Sequence, residues 1–140
     1  MGRKKVVIPL QRHGSYYVNG HINDKSVTFL VDTGASVVAI SGDMAKNLGV
    51  EVNHDNIQVS STAAGYTNSY PVIFDKISVG NRDNTIVRRN VRGSVIPEME
   101  GSRILLGMSF LGDEIDFIQD DNLLILYDDS SSSISEKDSF

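Results

Sequence analysis

The chain contains the run Phe29-Leu30-Val31-Asp32-Thr33-Gly34-Ala35-Ser36-Val37-Val38-Ala39-Ile40, which places an acid, a hydroxyl and a glycine between two apolar segments. A buried strand does not normally hold a carboxylate without partners, because an ionised carboxylate is costly to remove from water. Gly34 allows the backbone to turn sharply and to come close to a ligand. The run therefore predicts that Asp32 is presented on a tight loop. The alternative is that Asp32 only forms an Asx turn at the end of a strand.

A second apolar segment lies further along the chain, Arg103-Ile104-Leu105-Leu106-Gly107-Met108-Ser109-Phe110-Leu111. It reads as a strand that ends in glycine, followed by a turn that can begin a short helix. Together the two segments resemble the retropepsin-like aspartic proteases, especially the small bacterial ones. Those proteins typically read Phe-Leu-Val-Asp-Thr-Gly-Ala and later Leu-Leu-Gly-Met-Ser-Phe-Leu, as residues 29–35 and 105–111 do here. The resemblance covers the chain from about Tyr16 to Tyr127.

The resemblance implies that Asp32 is the catalytic residue. Thr33 would hydrogen-bond across a dimer, and Gly34 would shape the backbone beneath the paired acids. The residues expected to support the active-site loop are Thr33, Gly34, Ala35, Leu105, Leu106 and Gly107. Viral relatives usually have Arg after the second glycine and an acidic partner for it, whereas this chain has Met108 and Ser36. We therefore do not expect the viral ion pair.

A single acid does not complete this kind of site. Hydrolysis of a peptide bond needs a base for the water and an acid for the carbonyl oxygen, and two close carboxylates that share one proton supply both. The sequence contains one Asp-Thr-Gly, so we expect a two-fold homodimer in which Asp32 meets its own copy. Two such carboxylates do not ionise independently, which predicts an acidic optimum. Ala35 has no hydroxyl where many pepsin-like enzymes have Ser or Thr, so we expect a less acidic optimum than theirs.

Family members have a hairpin flap between the two motifs, and residues 61–67 are the best candidate for it. Small residues and a glycine give a flexible tip that can lie close to a peptide. The expected flap and substrate-binding residues are Ala63, Ala64, Gly65 and Tyr66. The alternative is an exposed hairpin turn without a function. The substrate, a peptide or protein, would bind extended, with backbone hydrogen bonds like those of an added strand.

Short runs of Val, Ile, Thr, Tyr and Phe between turn residues predict an all-β fold. With the resemblance, this indicates a closed or partly open acid-protease barrel with one short helix, a single lobe that forms a two-fold dimer. The helix is predicted at Gly42 to Leu48, capped by Ser41 and ended by Gly49. The turn between the first two barrel strands lies at Asn19-Gly20, the stronger local signal, or at 23–25. Further turns are predicted at Gly80-Asn81 and at 120–122.

Three segments are expected along the chain. Residues 1–15 form an N-terminal strand or arm, and residues 16–129 form the retropepsin-like domain. Residues 130–140 form a Ser-rich tail that we expect to be disordered. There is no internal repeat that would provide a second lobe.

Composition limits the other classes of function. A net charge of −5 argues against nucleic acid, and Arg88-Arg89-Asn90-Val91-Arg92 divides its charge between two faces of a strand. The chain has no cysteine, and its three histidines have no ligand spacing, so we expect no metal and no cofactor. We see no signal peptide or membrane span, although many bacterial relatives have an anchor ahead of this domain. We expect a soluble protein of the bacterial cytoplasm or periplasm, either acting in solution or truncated.

Three functions remain open from the sequence. The first is an aspartic endopeptidase, active as a homodimer. The second is a catalytically silent dimeric module of the same fold, which would bind peptides or hold other domains together. The third, a structural β-barrel with a coincidental Asp-Thr-Gly, conflicts with two motifs in the right order. Retention of Asp32, Thr33 and Gly34 favours the endopeptidase.

Overall fold

The computed structural model describes residues 4–11, 14–62, 65–81, 83–112 and 115–128. These residues contain ten strands and two short helices. The strands are β1 (Lys4–Pro9), β2 (Tyr17–Ile22), β3 (Lys25–Val31), β4 (Val38–Ser41), β5 (Gln58–Thr62), β6 (Gly65–Asn81), β7 (Asn84–Ile96), β8 (Ile104–Leu106), β9 (Ile115–Asp120) and β10 (Leu123–Asp128). The helices are α1 (Gly42–Leu48) and α2 (Met108–Leu111).

Six strands close into a barrel in the order β2-β3-β8-β4-β7-β6, because β2 pairs with β6 as well as with β3. β5 pairs with the outer edge of β6. The pairings of β3 with β8 and of β4 with β7 are parallel, and β4 pairs with β8 antiparallel. β8 therefore lies between the strand that precedes Asp32 and the strand that follows it. The predicted all-β barrel is confirmed as a closed barrel.

Apolar side chains fill the barrel interior. Phe29, Phe74 and Phe110 are among the largest side chains that are fully buried. Along β2, buried residues alternate with exposed ones, as expected for a strand with one face on a core. Burial of a large apolar side chain stabilises the fold by about 1.5–3 kcal/mol. This core therefore holds the strands on either side of Asp32 in place.

The predicted helix is confirmed with its predicted bounds. The Ser41 hydroxyl accepts a hydrogen bond from the amide of Met44 at 3.1 Å, which satisfies one of the free amides of the first turn. Gly49 adopts a left-handed conformation with φ of 68° and closes the carboxyl end. α2 is a second helix of one turn, at the place where the sequence predicted a turn that can begin a helix.

The turn between β2 and β3 lies at Asn23 and Asp24, the second of the two predicted positions. Both residues have positive φ, at 48° and 71°, as in the hairpin turns that match strand twist. Gly20, which gave the stronger local signal, lies inside β2 instead. A Cβ there would stand 2.0 Å from the carbonyl oxygen of Ser78, so the glycine allows two strands to approach closely.

The predicted turn at Gly80-Asn81 is wrong, because both residues belong to β6 and Asn81 pairs with Asn84. The chain reverses direction between Asn81 and Asn84. A Cβ on Gly80 would lie 2.1 Å from the carbonyl oxygen of Asn84, so a side chain is excluded by close packing across the ladder. The last predicted turn is confirmed, with Asp121 and Asn122 between β9 and β10.

The three remaining strands form a separate antiparallel sheet in the order β1-β10-β9, which we call the terminal sheet. β1 lies against β2, β6 and β7 of the barrel. The predicted Ser-rich tail at 130–140 lies outside the described residues. Neither described helix has the length and apolar character required to cross a membrane.

Candidate active site

The Asp32 loop, residues 32–37, connects β3 to β4 and is held by hydrogen bonds at both ends. The amide of Asp32 donates to the carbonyl of Leu106 at 3.1 Å, and the amide of Met108 donates to the carbonyl of Ala35 at 2.8 Å. Inside the loop, the amide of Ala35 donates to the carbonyl of Asp32 at 3.2 Å. The loop is therefore a tight turn whose position is set by residues 106–108.

The Asp32 carboxylate is half-buried at this turn. Its Oδ1 accepts a hydrogen bond from the amide of Gly34 at 3.0 Å, which is the geometry of an Asx turn. Within the described residues, this is the one hydrogen bond that the carboxylate accepts. The Asx turn and a catalytic role are therefore compatible. The turn fixes the direction of the side chain and leaves Oδ2 for another group.

β8 places the predicted support residues beside the loop. Leu105 pairs with Leu30 on β3 and with Ala39 on β4, and Leu106 is fully buried. A Cβ on Gly107 would lie 2.2 Å from the carbonyl oxygen of Val37, within the Asp32 loop. The structure therefore brings Leu105, Leu106 and Gly107 together with Asp32. Only a glycine at position 107 allows the two segments to lie this close.

The side of the Asp32 loop that faces away from the barrel is exposed to solvent. Thr33, Gly34 and Ser36 are exposed, whereas Asp32 and Ala35 are half-buried. Among the described residues, the structure shows no hydrogen bond from the Thr33 hydroxyl. The predicted hydrogen bond of Thr33 across a dimer stays a prediction.

Ser109 is a site residue that the sequence did not reveal. Its hydroxyl donates to the carbonyl of Arg92 on β7 at 2.5 Å and accepts from the amide of Val38 at 3.0 Å. Val38 is the first residue after the Asp32 loop. One hydroxyl on α2 therefore connects β7 to the end of the loop. Serine is common in helices and turns, and its motif position gave no sign of this role.

Ser109→Ala is expected to lower the free energy of unfolding by about 1–2 kcal/mol, because it leaves the Val38 amide and the Arg92 carbonyl without this partner. Thermal unfolding followed by circular dichroism measures the change. Ser102→Ala, at an exposed serine, is the control and should have little effect. Equal stability of the two variants would show that the Ser109 hydroxyl does not hold the loop.

The predicted flap lies on a hairpin of β5 and β6, in which Thr62 pairs with Gly65. Ala63 and Ala64 lie outside the described residues. Gly65 has φ of 116°, and the Tyr66 side chain is 83% exposed. Thr67, next along β6, donates a hydrogen bond to Glu98 at 2.9 Å. The hairpin thus presents a large, exposed aromatic residue near its tip, and its role as a flap stays a prediction.

The described residues contain no group of three or more His, Asp or Glu side chains placed to hold a metal ion. At the loop, the structure presents a carboxylate with one engaged oxygen, close to exposed backbone.

Comparison with known families agrees with this geometry. The model of the family described as "gag-polyprotein putative aspartyl protease" matches residues 18–113, which include the Asp32 loop and β8. The chain belongs to the retropepsin-like aspartic protease family. The segment that supports the loop falls within the matched range, as does the first barrel strand except for Tyr17.

Solved and curated relatives agree with the family. A retropepsin-like aspartic protease from Rickettsia conorii has 29% sequence identity and a TM-score of 0.68, covering 86% of this chain and 97% of that one. An uncharacterised protein encoded 5′ of cobV in a Sinorhizobium species is 33% identical over 79% of this chain and 46% of its own length. An uncharacterised protein of Rickettsia prowazekii is 32% identical over 87% of this chain and 51% of its own. The retropepsin-like chain thus spans about half the length of these two curated relatives.

Proposed function

We propose that the chain is one protomer of a homodimeric aspartic endopeptidase, with one Asp32 from each protomer in a shared active site. The observation that carries the proposal is the half-buried Asp32 carboxylate, which is fixed by Gly34 through one oxygen and leaves the other oxygen available. Family membership supports the same reaction class. The exposed surface of the Asp32 loop supports a partner at this position.

The two carboxylates have different tasks in the proposed reaction. The ionised one takes a proton from a water molecule as the water oxygen attacks the carbonyl carbon of the peptide bond. The protonated one gives its proton to the carbonyl oxygen, and a tetrahedral diol forms. The carboxyl group that took the proton from water then gives it to the leaving nitrogen, the other carboxylate takes a hydroxyl proton from the diol, and the C–N bond breaks to give a carboxylic acid and an amine. The pair works because two close carboxylates share one proton over a range of pH.

The substrate in this proposal is an extended peptide segment beneath the hairpin of β5 and β6. Tyr66 and Val59 are exposed on that hairpin and offer apolar surface to substrate side chains. Gly65, with its positive φ, permits the backbone of the hairpin to change direction near the tip. No cofactor takes part.

Cleavage of a diverse peptide library between pH 3 and pH 8 tests the proposal, with sedimentation of the same samples. We expect cleavage with an acidic optimum, and a rate that falls when dilution dissociates the dimer. A dimer that cleaves no peptide would favour a silent module of the same fold. A strict monomer that still cleaves peptides would contradict the shared site.

The pH profile from this assay also tests the role of Ala35. In Ala35→Ser, a hydroxyl that donates to the ionised carboxylate favours the charged form. The acid limb of the rate profile is then expected to move to lower pH by roughly one unit. Ala35→Cys, with a similar volume and a weaker donor, is the control. An Ala35→Ser profile that coincides with that of the wild type would count against this explanation.

A further inference from the structure

We propose that the cleft between β1 and β2, which we call the β1 cleft, binds an extended acidic peptide segment as an added strand. Such a segment would pair with the open edge of β1 and would join the terminal sheet to the barrel. Under the proposed function, the segment is a part of the substrate away from the cleaved bond. That use rests on the proposed function, whereas the binding does not.

The β1 cleft is a concave site distinct from the Asp32 loop. It has a volume of about 430 Å³ and is lined by Lys5 to Pro9 of β1, by Tyr17 to Asn19 of β2 and by the reversal between β6 and β7. This volume lies within the range of pockets that bind small ligands. Among the described residues, those that line the cleft include none of the Asp32 loop.

The cleft opens where the pairing between β1 and β2 ends. The amide of Gln11 donates to the carbonyl of Ser15 at 2.8 Å, and Leu10 forms a β-bridge with Tyr16. Beyond this point the two strands separate, because β1 pairs with β10 while β2 pairs with β3 and β6. The gap between them is therefore bordered by strands on both sides, as a site for an added strand requires.

Hydrogen-bond parity identifies the backbone groups that point into the cleft. The amide of Leu10 donates to the carbonyl of Asn122 at 2.7 Å, in the register by which β1 pairs with β10. Backbone groups of successive strand residues point to opposite sides, so those of Val6 and Ile8 also point to β10. Those of Lys5 and Val7 then point into the cleft, at an edge with which no strand of the described residues pairs. Each of the two residues offers a donor and an acceptor to an extended peptide.

Pro9 lies on the same edge of β1 and has no amide to donate. Its carbonyl accepts from the side chain of Gln11 at 3.4 Å. The edge available to a peptide therefore ends at Pro9. Pro9 also shows that a proline at this parity is compatible with the pairing of β1 to β10.

The open edge is held in place by the core. Val6 and Ile8 are 5% and 1% exposed, respectively. A Cβ on Gly80, at the reversal between β6 and β7, would lie 3.0 Å from Cγ2 of Val6, so β1 packs closely against the barrel there. A peptide therefore meets an edge that is already ordered, which lowers the cost of binding.

The charge of the cleft favours an acidic segment. Its lining contains Lys5 and, among the described residues, no aspartate or glutamate, although the chain has a net charge of −5. The other polar lining groups include the amide side chains of Asn81 and Asn84, which can donate to carboxylate or carbonyl oxygens. Electrostatic complementarity therefore selects peptides with acidic side chains over basic ones.

One substrate chain can reach both the β1 cleft and the Asp32 loop. Tyr17 lines the cleft and pairs with Leu30, which precedes Asp32 by two residues. The spacing between paired strands and along a strand places Tyr17 and Asp32 within roughly 10 Å of each other. A segment held in the cleft thus keeps the rest of its chain near the carboxylate.

Peptide binding to Asp32→Asn protein, measured by fluorescence anisotropy, tests the proposal without cleavage of the probe. The probe is a fluorescent peptide of alternating valine and threonine with glutamate at both ends. One control peptide has lysine in place of glutamate, and another is N-methylated at its central residues. Both controls are expected to bind at least about 10-fold more weakly, because they lose the charge complementarity or the backbone hydrogen bonds. Equal binding of all three peptides would overturn strand addition.

Two pairs of variants locate the binding. Val7→Pro removes an amide from the cleft and is expected to weaken binding of the acidic probe about 10-fold, whereas Val7→Ala keeps the amide and should change it less than about twofold. Lys5→Glu should weaken binding of the acidic probe and strengthen that of the lysine peptide. Lys46→Glu, exposed on α1, is the control for the same change of charge. Circular dichroism verifies folding. Unchanged binding in folded Val7→Pro and Lys5→Glu would overturn the site.

Sedimentation without peptide tests a second copy as the occupant. Val7→Pro and the wild type are expected to associate with themselves to the same extent. If Val7→Pro weakens self-association and no probe binds, the cleft receives another copy of the chain and the proposal is wrong.

A fused substrate separates the cleft from the proposed function. The acidic peptide is joined through a flexible linker to the best peptide from the library. Val7→Pro is expected to raise KM for the fused substrate about 10-fold with kcat unchanged, and to leave the unfused substrate unaffected. Probe binding by a wild type that cleaves no peptide would support the cleft and refute the function. Cleavage by a wild type that binds no probe would support the function and refute the cleft.

Discussion

Asp32→Asn is expected to lower kcat/KM for peptide cleavage by roughly 100- to 10,000-fold, because the amide can neither take a proton from water nor share one with its copy. The fold should survive the change. Asn has nearly the same shape, and its Oδ1 can still accept the hydrogen bond that Gly34 donates at 3.0 Å. Activity is measured with the best peptide from the library, and folding is measured by thermal unfolding.

The matched control is Asp75→Asn, which makes the same chemical change at an exposed position on β6. It should keep wild-type activity. If Asp32→Asn is folded and cleaves the peptide at the wild-type rate, Asp32 is not the catalytic residue.

Mixing the two proteins adds a test of the shared site. A heterodimer of one wild-type and one Asp32→Asn protomer has a single carboxylate, so a folded excess of the variant should inhibit the wild type through subunit exchange. Activity that stays proportional to the wild-type concentration would indicate that each protomer works alone.

Gly107→Ala is expected to have the second large effect, on stability and on activity together. The added Cβ would lie 2.2 Å from the Val37 carbonyl oxygen and 2.8 Å from that of Ala35, which real side chains do not tolerate. Both oxygens belong to the backbone of the Asp32 loop, so the loop itself must move. The cost in the free energy of unfolding is roughly 1–3 kcal/mol. The displaced carboxylate should also lower kcat in the molecules that remain folded.

Gly20→Ala is a control with a similar clash at another place. Its Cβ would lie 2.0 Å from the Ser78 carbonyl oxygen, away from the Asp32 loop on β2. Denaturant unfolding should show that both variants are destabilised. Single-turnover cleavage, corrected for the folded fraction, should be reduced in Gly107→Ala alone. A normal kcat in folded Gly107→Ala would show that the loop does not need this close contact.

The sequence predicts much of the fold, because the relevant signals are local. Ser41 and Gly49 mark the ends of α1, and the alternation of apolar residues marks the strands. The two misplaced turn signals, at Gly20 and Gly80, have a shared cause. Each glycine is required by close contact with another strand, at Ser78 and Asn84, and a single sequence does not reveal such contacts.

Part of the candidate site could be predicted because its signals are local sequence motifs. Asp32 and Gly107 stand in motifs, and the structure brings them together. The role of Ser109 depends on the distances from its hydroxyl to Val38 and Arg92, which are far apart in sequence. Residue type and spacing do not carry these distances.

Because β8 lies between β3 and β4, the Asp32 loop gains part of its support only late in the synthesis of the chain. Leu30 pairs with Leu105, so the strand that leads to Asp32 gets this neighbour only after most of the chain has been made. Contacts between residues so distant in sequence form slowly, since a long loop must close first. A nascent or prematurely terminated chain that lacks residues 104–108 therefore has the acid without the contacts from Leu106 and Met108 that set the position of its loop. Under the proposed function, such fragments are expected to cleave no peptide.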